Sequence, residues 1–470
     1  MIKFGTGGFR AIIGDEFTKA NIELLTQGLA NKIKREELQN YPVVIGFDRR
    51  FLSTTATKWC AQVLAGNGIE TQVITEQAPT PLIMFTIKNN HTKYGLAVTV
   101  SHNPAEYNGI KVFTEGGRDA AEEVTDDIEA EIAKITAKDV KIIEYDIGRE
   151  SGIIKEINPQ NSYIDKILSI LDVEKIKECQ PKILFDPMYG VGKTSLQTIL
   201  ITCRCDIDVI HDRHDPLFGG RLPSPTNDTL RRLSLMVTEG GYDIGIGTDG
   251  DADRIGLVDL TGKFIHPNDI LVLLYYYLHE YKKWKGPVVR NIATTHLLDR
   301  LAESFGEKCY EVPVGFKHIS SKMDDTDALI GGESSGGLTV RGHISGKDGI
   351  YAAALLVEML CVIGKPFAEI LEDIYKKLGK SEMAEFDVKF SKQKKEELKD
   401  ILFSKKMLPS FPIEIDKVSY VDGCKVYFKN GGWIICRFSG TEPLIRIFCE
   451  QESIEKANVL IQIMKEFLGL

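Results

Sequence analysis

The chain has 470 residues, of which 43% are hydrophobic and 27% charged, with a formal net charge of −9. At roughly 150 residues per domain that length suggests about three domains, and the composition is that of an ordinary globular protein with a full-sized core. The acidic balance excludes a general nucleic-acid binder or a protein held on acidic membranes, so an anionic substrate would need a locally basic pocket.

Short apolar, β-branched runs alternate with helical patterns over most of the length, which signals α/β layering. Residues 43–48 predict a strand, with a helix from Ser53; 71–75 and 96–101 predict two further strands, and 121–138 a charged helix. Residues 145–159 read as a polar connection. The pattern then restarts with strand 182–186, helix 193–202, strand 206–210, helix 227–238 and strand 242–248, which runs into an acidic loop. A third cycle has helix 268–281, strand 287–292, helix 295–305, strand 328–332 and a long helix over 348–362. The last segment changes character. Residues 389–406, rich in lysine and glutamate, read as an exposed helix or linker; strands at 425–428, 433–438 and 444–450 follow, then an amphipathic helix from Ser453. The expected fold is α/β: three similar α/β domains at 1–146, 155–258 and 259–372, plus a smaller C-terminal α+β domain at 380–470. The repetition is architectural, without a residue-by-residue repeat.

Nine cysteines are scattered along the chain, and only Cys203 and Cys205 are close. A C-x-C pair without a second pair is a poor zinc pattern, so reduced thiols of a cytoplasmic protein are expected. Residues 1–10 lack the long apolar run of a signal peptide. The longest apolar stretches, such as 270–278, are far shorter than a membrane span.

Four loops carry chemistry. Thr99-Val100-Ser101-His102-Asn103-Pro104 ends an apolar strand, where ligands bind in α/β sheets. Pro104 and Asn108-Gly109 force an irregular loop that presents Ser101 as a nucleophile or phosphoryl carrier. Lys111 is the nearest candidate for proton transfer. Asp249-Gly250-Asp251-Ala252-Asp253-Arg254 places three carboxylates at alternate positions with small residues between them, so they can turn toward one point. Such a set suits a hard cation such as Mg²⁺. An EF-hand is excluded, because its glycine and glutamate positions hold Arg254 and Leu260. Arg254 can balance the cluster and touch a phosphate.

Gly331-Gly332-Glu333-Ser334-Ser335-Gly336-Gly337 follows another strand. Its glycines admit a ligand close to the backbone, and Glu333 and Ser335 can bond vicinal hydroxyls of a sugar. Lys317 and His318, just before it, can meet phosphate or move protons. Arg437-Phe438-Ser439-Gly440-Thr441 joins two late strands and offers a guanidinium fork with hydroxyls and amides, a phosphate nest. Arg446 is a second contact or a salt-bridge partner. Gly190-Val191-Gly192-Lys193-Thr194 resembles a nucleotide P-loop but has Pro187 where the first glycine belongs. Gly5-Thr6-Gly7-Gly8-Phe9-Arg10 follows no strand; Arg10 reads as a phosphate contact.

These four loops, in this order, resemble those of the α-D-phosphohexomutase family, which includes phosphoglucomutases and phosphomannomutases. The resemblance spans essentially the whole chain. It implies a heart-shaped molecule of four domains around a central active-site cleft, with Ser101 as phosphoserine and Mg²⁺ held by its phosphate together with Asp249, Asp251 and Asp253. It also implies that Glu333 and Ser335 bind sugar hydroxyls, that Arg437, Ser439, Gly440 and Thr441 hold the non-reacting phosphate, and that Lys111 and His318 lie near the proton-transfer positions. Arg10 and the stretch Asp48-Arg49-Arg50 with Ser53 match its N-terminal basic elements. One departure stands out: a common form of the sugar loop closes Ser-Gly-His, whereas this chain has Ser335-Gly336-Gly337. His343 is the candidate to fill that gap. The implied activity is interconversion of hexose 1-phosphate and hexose 6-phosphate with a hexose 1,6-bisphosphate activator. Glucose is expected first, mannose second, and a pentose phosphate third. A metal-dependent phosphatase and a non-catalytic sugar-phosphate binder are the other classes weighed. Sugar phosphates are the expected partners, with no nucleic acid or membrane, and the chain is expected as a monomer or dimer.

Overall fold

The computed structural model describes residues 2–5, 7–438 and 444–470. The first domain is an eight-stranded sheet. Its parallel centre is formed by Tyr94–Val98, Val43–Phe47, Thr71–Ile74 and Ile154–Ile157, and the antiparallel strands Tyr107–Thr114 and Gly8–Ile12 extend one side. Val43–Phe47 is buried at every position, as expected of a parallel strand covered on both faces. Helix Lys19–Arg35 covers part of the sheet; the Thr18 side chain caps its first turn, and Lys32, Lys34 and Arg35 lie at its carbonyl end.

The second sheet runs Asp206–Val209, Lys182–Asp186, Ile244–Thr248, Ile255–Asp259, Phe264–Ile265, and the third Cys309–Val312, Val288–Asn291, Ile330–Gly332, Leu338–Val340. Glycines in Ile244–Thr248 let a helix lie close. A Cβ on Gly245 would come 2.7 Å from Val237, and one on Gly247 2.8 Å from Leu230. The apolar helix Gly349–Ile363, capped by Asp348, packs between these two domains, whose cores merge into one cluster. Among the described residues no single helix is long and apolar enough to cross a membrane. The last domain is an antiparallel sheet in the order Glu382–Lys389, Leu444–Gln451, Trp433–Phe438, Cys424–Phe428, Ile415–Ser419, with helix Ile454–Leu468 on one face.

Several elements differ from expectation. Residues 145–159 are not a bare connection: they hold helix Tyr145–Glu150 and strand Ile154–Ile157, which pairs with Thr71–Ile74 and belongs to the first sheet beyond residue 146. Residues 389–406 hold the short helix Lys392–Lys399, in line with the expected helix or linker, but Lys389 ends an eight-residue strand, Glu382–Lys389, that was not expected. The charged helix expected over 121–138 spans only Glu122–Ile132. All nine cysteines are free thiols.

Candidate active site

The Ser101 loop is held by two buried side chains, Asp48 and Arg50, that follow the neighbouring parallel strand Val43–Phe47. The Asp48 carboxylate accepts hydrogen bonds from Thr99 Oγ1 at 2.6 Å, Ser53 Oγ at 2.8 Å and Arg50 N at 2.9 Å. Arg50 donates to the backbone carbonyls of Ser101, Asn103, Pro104 and Tyr107. So braced, Ser101 adopts φ +55°, a left-handed conformation that costs a non-glycine residue energy and persists only where its surroundings impose it. Its hydroxyl donates to Asp249 Oδ2 at 2.6 Å, and His102 Nδ1 lies 3.3 Å away.

The aspartate loop meets the serine loop because residue 250 is glycine: a Cβ there would lie 2.7 Å from Ser101 O. The glycine run that resembles a P-loop packs behind it, with a Cβ on Gly190 2.6 Å from Gly250 O. Asp249, Asp251 and Asp253 are all buried, and one oxygen of each lies within 4.8 Å of the others. Lys111 Nζ bonds Asp251 Oδ2 at 2.7 Å and Asp253 Oδ2 at 3.0 Å; Lys347 Nζ lies 2.9 Å from Asp253 Oδ2. Thr80 Oγ1 donates to Asp251 at 2.6 Å. The remaining oxygens, Asp251 Oδ1 and Asp253 Oδ1, are buried without a hydrogen-bond donor, although Arg254 Nε lies 3.9 Å from Asp253 Oδ1. Burial and the two neighbouring carboxylates push Asp249 well above the usual carboxylate range. A buried anionic oxygen with no donor is costly, so this set fits a divalent cation bound by oxygen ligands.

Lys111, expected as a proton-transfer group, is engaged as an ammonium. Burial works against its charge, yet Asp251 and Asp253 outweigh that and hold its pKa above the ordinary lysine value. His102 shows the opposite: Arg254, burial and Arg10 hold its imidazole well below the usual histidine value, so it is neutral.

The sugar loop is tied to the metal loop by Ile255 N donating to Gly336 O at 3.1 Å. Asn291 Nδ2 lies 3.4 Å from Glu333 Oε1, and Ser335 Oγ donates to Glu333 Oε2 at 3.3 Å. One cavity of about 350 Å³ collects Arg10, Ser101, His102, Lys111, Arg254, Lys317, Glu333, Ser335, Lys347, Arg437 and Arg446. Its walls come from all four domains. Ser439, Gly440 and Thr441 lie outside the described residues.

Two expected residues are elsewhere. His318 follows Lys317 on helix Phe316–Thr326 but is not among the cavity-lining side chains. His343 does not fill the gap in the sugar loop. It is buried, with Nε2 2.7 Å from Asp348 Oδ2, and steadies the cap of the long helix. Lys347 takes that space instead: a Cβ on Gly337 would come 2.3 Å from its Cδ. Lys347 and His102 are site residues to which sequence reasoning assigned no role. His102 lies inside the serine loop, next to Ser101, whereas Lys347 lies ten residues past Gly337.

Four domains whose side chains line one basic cleft define a phosphohexomutase architecture. Sequence models of the phosphoglucomutase/phosphomannomutase family match all four: α/β/α domain I at 1–139, domain II at 161–262, domain III at 266–378 and the C-terminal domain at 383–466. The chain belongs to this family, the α-D-phosphohexomutases. It is 30% identical to a phosphoglucomutase/phosphomannomutase of Thermococcus kodakarensis over 98% of this chain and 97% of the relative. It is 29% identical to a phosphoglucosamine/phosphogalactosamine mutase of Sulfurisphaera tokodaii over 99% of this chain and 98% of the relative. The crystal structure of a protein described as a phosphomannomutase from Thermus thermophilus superposes with a TM-score of 0.87 at 28% identity, covering 100% of this chain and 99% of that one.

Proposed function

We propose that the protein interconverts hexose 1-phosphate and hexose 6-phosphate, with glucose phosphates preferred, by way of a phosphoryl group carried on Ser101 Oγ. The observation that carries this is the 2.6 Å contact between Ser101 Oγ and Asp249 Oδ2 inside the four-domain cleft. A reactive oxygen and a cation-ready carboxylate set meet there, facing Arg10, Arg254, Lys317, Arg437 and Arg446.

In the forward step the Ser101 Oγ–phosphorus bond breaks and a bond forms from phosphorus to the free sugar hydroxyl. The hydroxyl proton passes by way of His102, the imidazole nearest Ser101 Oγ, to the departing serine oxygen, which leaves as the hydroxyl. The bisphosphate turns in the cleft, Ser101 Oγ bonds to its other phosphorus as the sugar oxygen–phosphorus bond breaks, and the serine proton passes back by way of His102 to the sugar oxygen released. Glu333 and Ser335 hold the ring hydroxyls in either orientation. Arg437, with Ser439, Gly440, Thr441 and Arg446, holds the phosphate that is not reacting. Ser101, Asp249, Asp251 and Asp253 would hold Mg²⁺, which when bound neutralises charge on the transferring group. Lys111 and Lys347 steady the same carboxylates. Hexose 1,6-bisphosphate acts as activator by phosphorylating Ser101. A cytoplasmic location is supported by the nine free thiols.

The test is turnover of glucose 1-phosphate, mannose 1-phosphate and glucosamine 1-phosphate with Mg²⁺ and a trace of the matching bisphosphate. Fastest turnover of glucose 1-phosphate supports the proposal. Faster glucosamine turnover would align the chain with its amino-sugar relatives, and release of inorganic phosphate without isomerisation would make it a phosphatase.

A further inference from the structure

Asp422 stands between two parts of the molecule that both border the cleft. It lies in the turn between strands Ile415–Ser419 and Cys424–Phe428 of the last domain. Gly423 makes the turn possible: its φ is +95°, and a Cβ there would come 2.7 Å from Cys436 O. The turn is thereby pressed against strand Trp433–Phe438, which carries Arg437. One carboxylate oxygen of Asp422, Oδ1, accepts Arg437 Nε at 2.8 Å. The other, Oδ2, accepts the backbone N–H of Val314 at 2.7 Å. Val314 belongs to the third domain, one residue before Gly315, the N-cap of the helix whose first turn brings Lys317 to the cleft. Val314 and Arg437 line the cavity; Asp422 does not.

We propose that Asp422 is a positioning residue that couples phosphate capture to docking of the last domain on the third. Its bond to Nε sets the plane of the Arg437 guanidinium, so that the Nη fork is presented to a phosphate. Its bond to Val314 fixes the same carboxylate to the third domain. A sugar phosphate that engages Arg437 therefore also favours the docked arrangement, because guanidinium and Val314 share one anchor. This rests on the reading of Arg437 as a phosphate contact. A solvent-exposed ion pair would contribute little, but Arg437 and Asp422 are only about one-fifth exposed. As a mere turn residue it would not touch ligand affinity at all.

The experiment compares the full-length wild type with Asp422→Ala, Asp422→Asn and Arg437→Ala. Calorimetry gives the Kd for glucose 1-phosphate, X-ray scattering the radius of gyration with and without it, and melting the stability. Asp422→Ala is expected to weaken binding about tenfold, as loss of a charge-assisted hydrogen bond would, and to diminish the compaction caused by ligand. Asp422→Asn keeps an acceptor for Val314 N–H but not the charge facing Arg437, and should fall between. If Asp422→Ala binds within about twofold of wild type and compacts equally while Arg437→Ala binds weakly, the coupling is overturned and the phosphate assignment stands. If Arg437→Ala binds as tightly as wild type, the phosphate assignment fails and takes the proposal with it.

Discussion

Lys347 reaches Asp253 through the space that a side chain at position 337 would fill. Its Nζ stands 2.9 Å from Asp253 Oδ2, and a Cβ on Gly337 would lie 2.3 Å from its Cδ. The glycine that closes the sugar loop and the cation over the carboxylate cluster are thus one feature. Gly337→Ala is expected to displace Lys347 and lower kcat about tenfold, a loss of about 1.4 kcal/mol in the transition state, with little change in melting temperature. Steady-state kinetics check this, and Lys347→Met should reproduce it.

The Oδ1 atoms of Asp251 and Asp253, buried without a hydrogen-bond donor, predict dependence on a divalent cation. Chelation should abolish turnover and Mg²⁺ should restore it. Asp251→Asn is expected to raise the Mg²⁺ needed for half-maximal rate by about tenfold or more, since one anionic ligand is gone. It should also lower the melting temperature, because Lys111 loses a buried partner.

How much of this was legible before the structure follows from where each residue sits. Ser101, the three aspartates and Glu333 stand at the ends of apolar strands, and their neighbours in the chain are their neighbours in space. The partners that tune them are not. Lys347 is close to Asp253 only because two loops cross, and Asp422 meets Arg437 only across a hairpin. Strand Ile154–Ile157 escapes a sequence reading because Lys155 and Glu156 are exposed at the sheet edge, which hides its apolar alternation. Strand Tyr107–Thr114 escapes it because the serine loop's turn residues run into it, although six of its eight residues are buried. His343 misleads because a histidine near a ligand loop and a histidine under a helix cap look alike in sequence.

Lys425 is fully buried where the last domain meets the third. Its Nζ donates to Ile292 O at 2.6 Å and Glu311 Oε2 at 2.8 Å, beside His296 Nε2 at 3.0 Å. Burial, and then the charge of Arg290, bring its pKa down from 10.5 to about 7. Between those values the unfolded chain binds the extra proton, so this contribution to stability grows as pH rises from about 7 and is lost as pH falls back through the window. The melting-temperature difference between wild type and Lys425→Met should therefore shift in favour of wild type between about pH 7 and about pH 9. A flat difference contradicts it.

Glu358, fully buried in helix Gly349–Ile363, accepts Tyr277 OH at 2.5 Å, Lys282 Nζ at 2.7 Å and Asp172 N at 2.6 Å. It thereby joins the second and third domains far from the cleft. Glu358→Ala takes the acceptor from Tyr277 OH and Asp172 N and the counter-charge from Lys282, which keeps only the Ile170 O acceptor at 3.1 Å, and is expected to cost about 3 kcal/mol, read as a lower denaturant midpoint, with turnover per folded molecule retained.

The central claim is that phosphate travels through Ser101. The most direct measurement incubates wild type and Ser101→Ala with Mg²⁺ and glucose 1,6-bisphosphate, then follows intact mass and turnover of glucose 1-phosphate. Wild type is expected to gain one phosphoryl group at Ser101 and isomerise the sugar phosphate, while Ser101→Ala stays unmodified, still binds glucose 1-phosphate, and loses turnover by about a thousandfold or more. Isomerisation by Ser101→Ala near the wild-type rate, or wild-type turnover with no phosphoryl group ever present on Ser101, would contradict it.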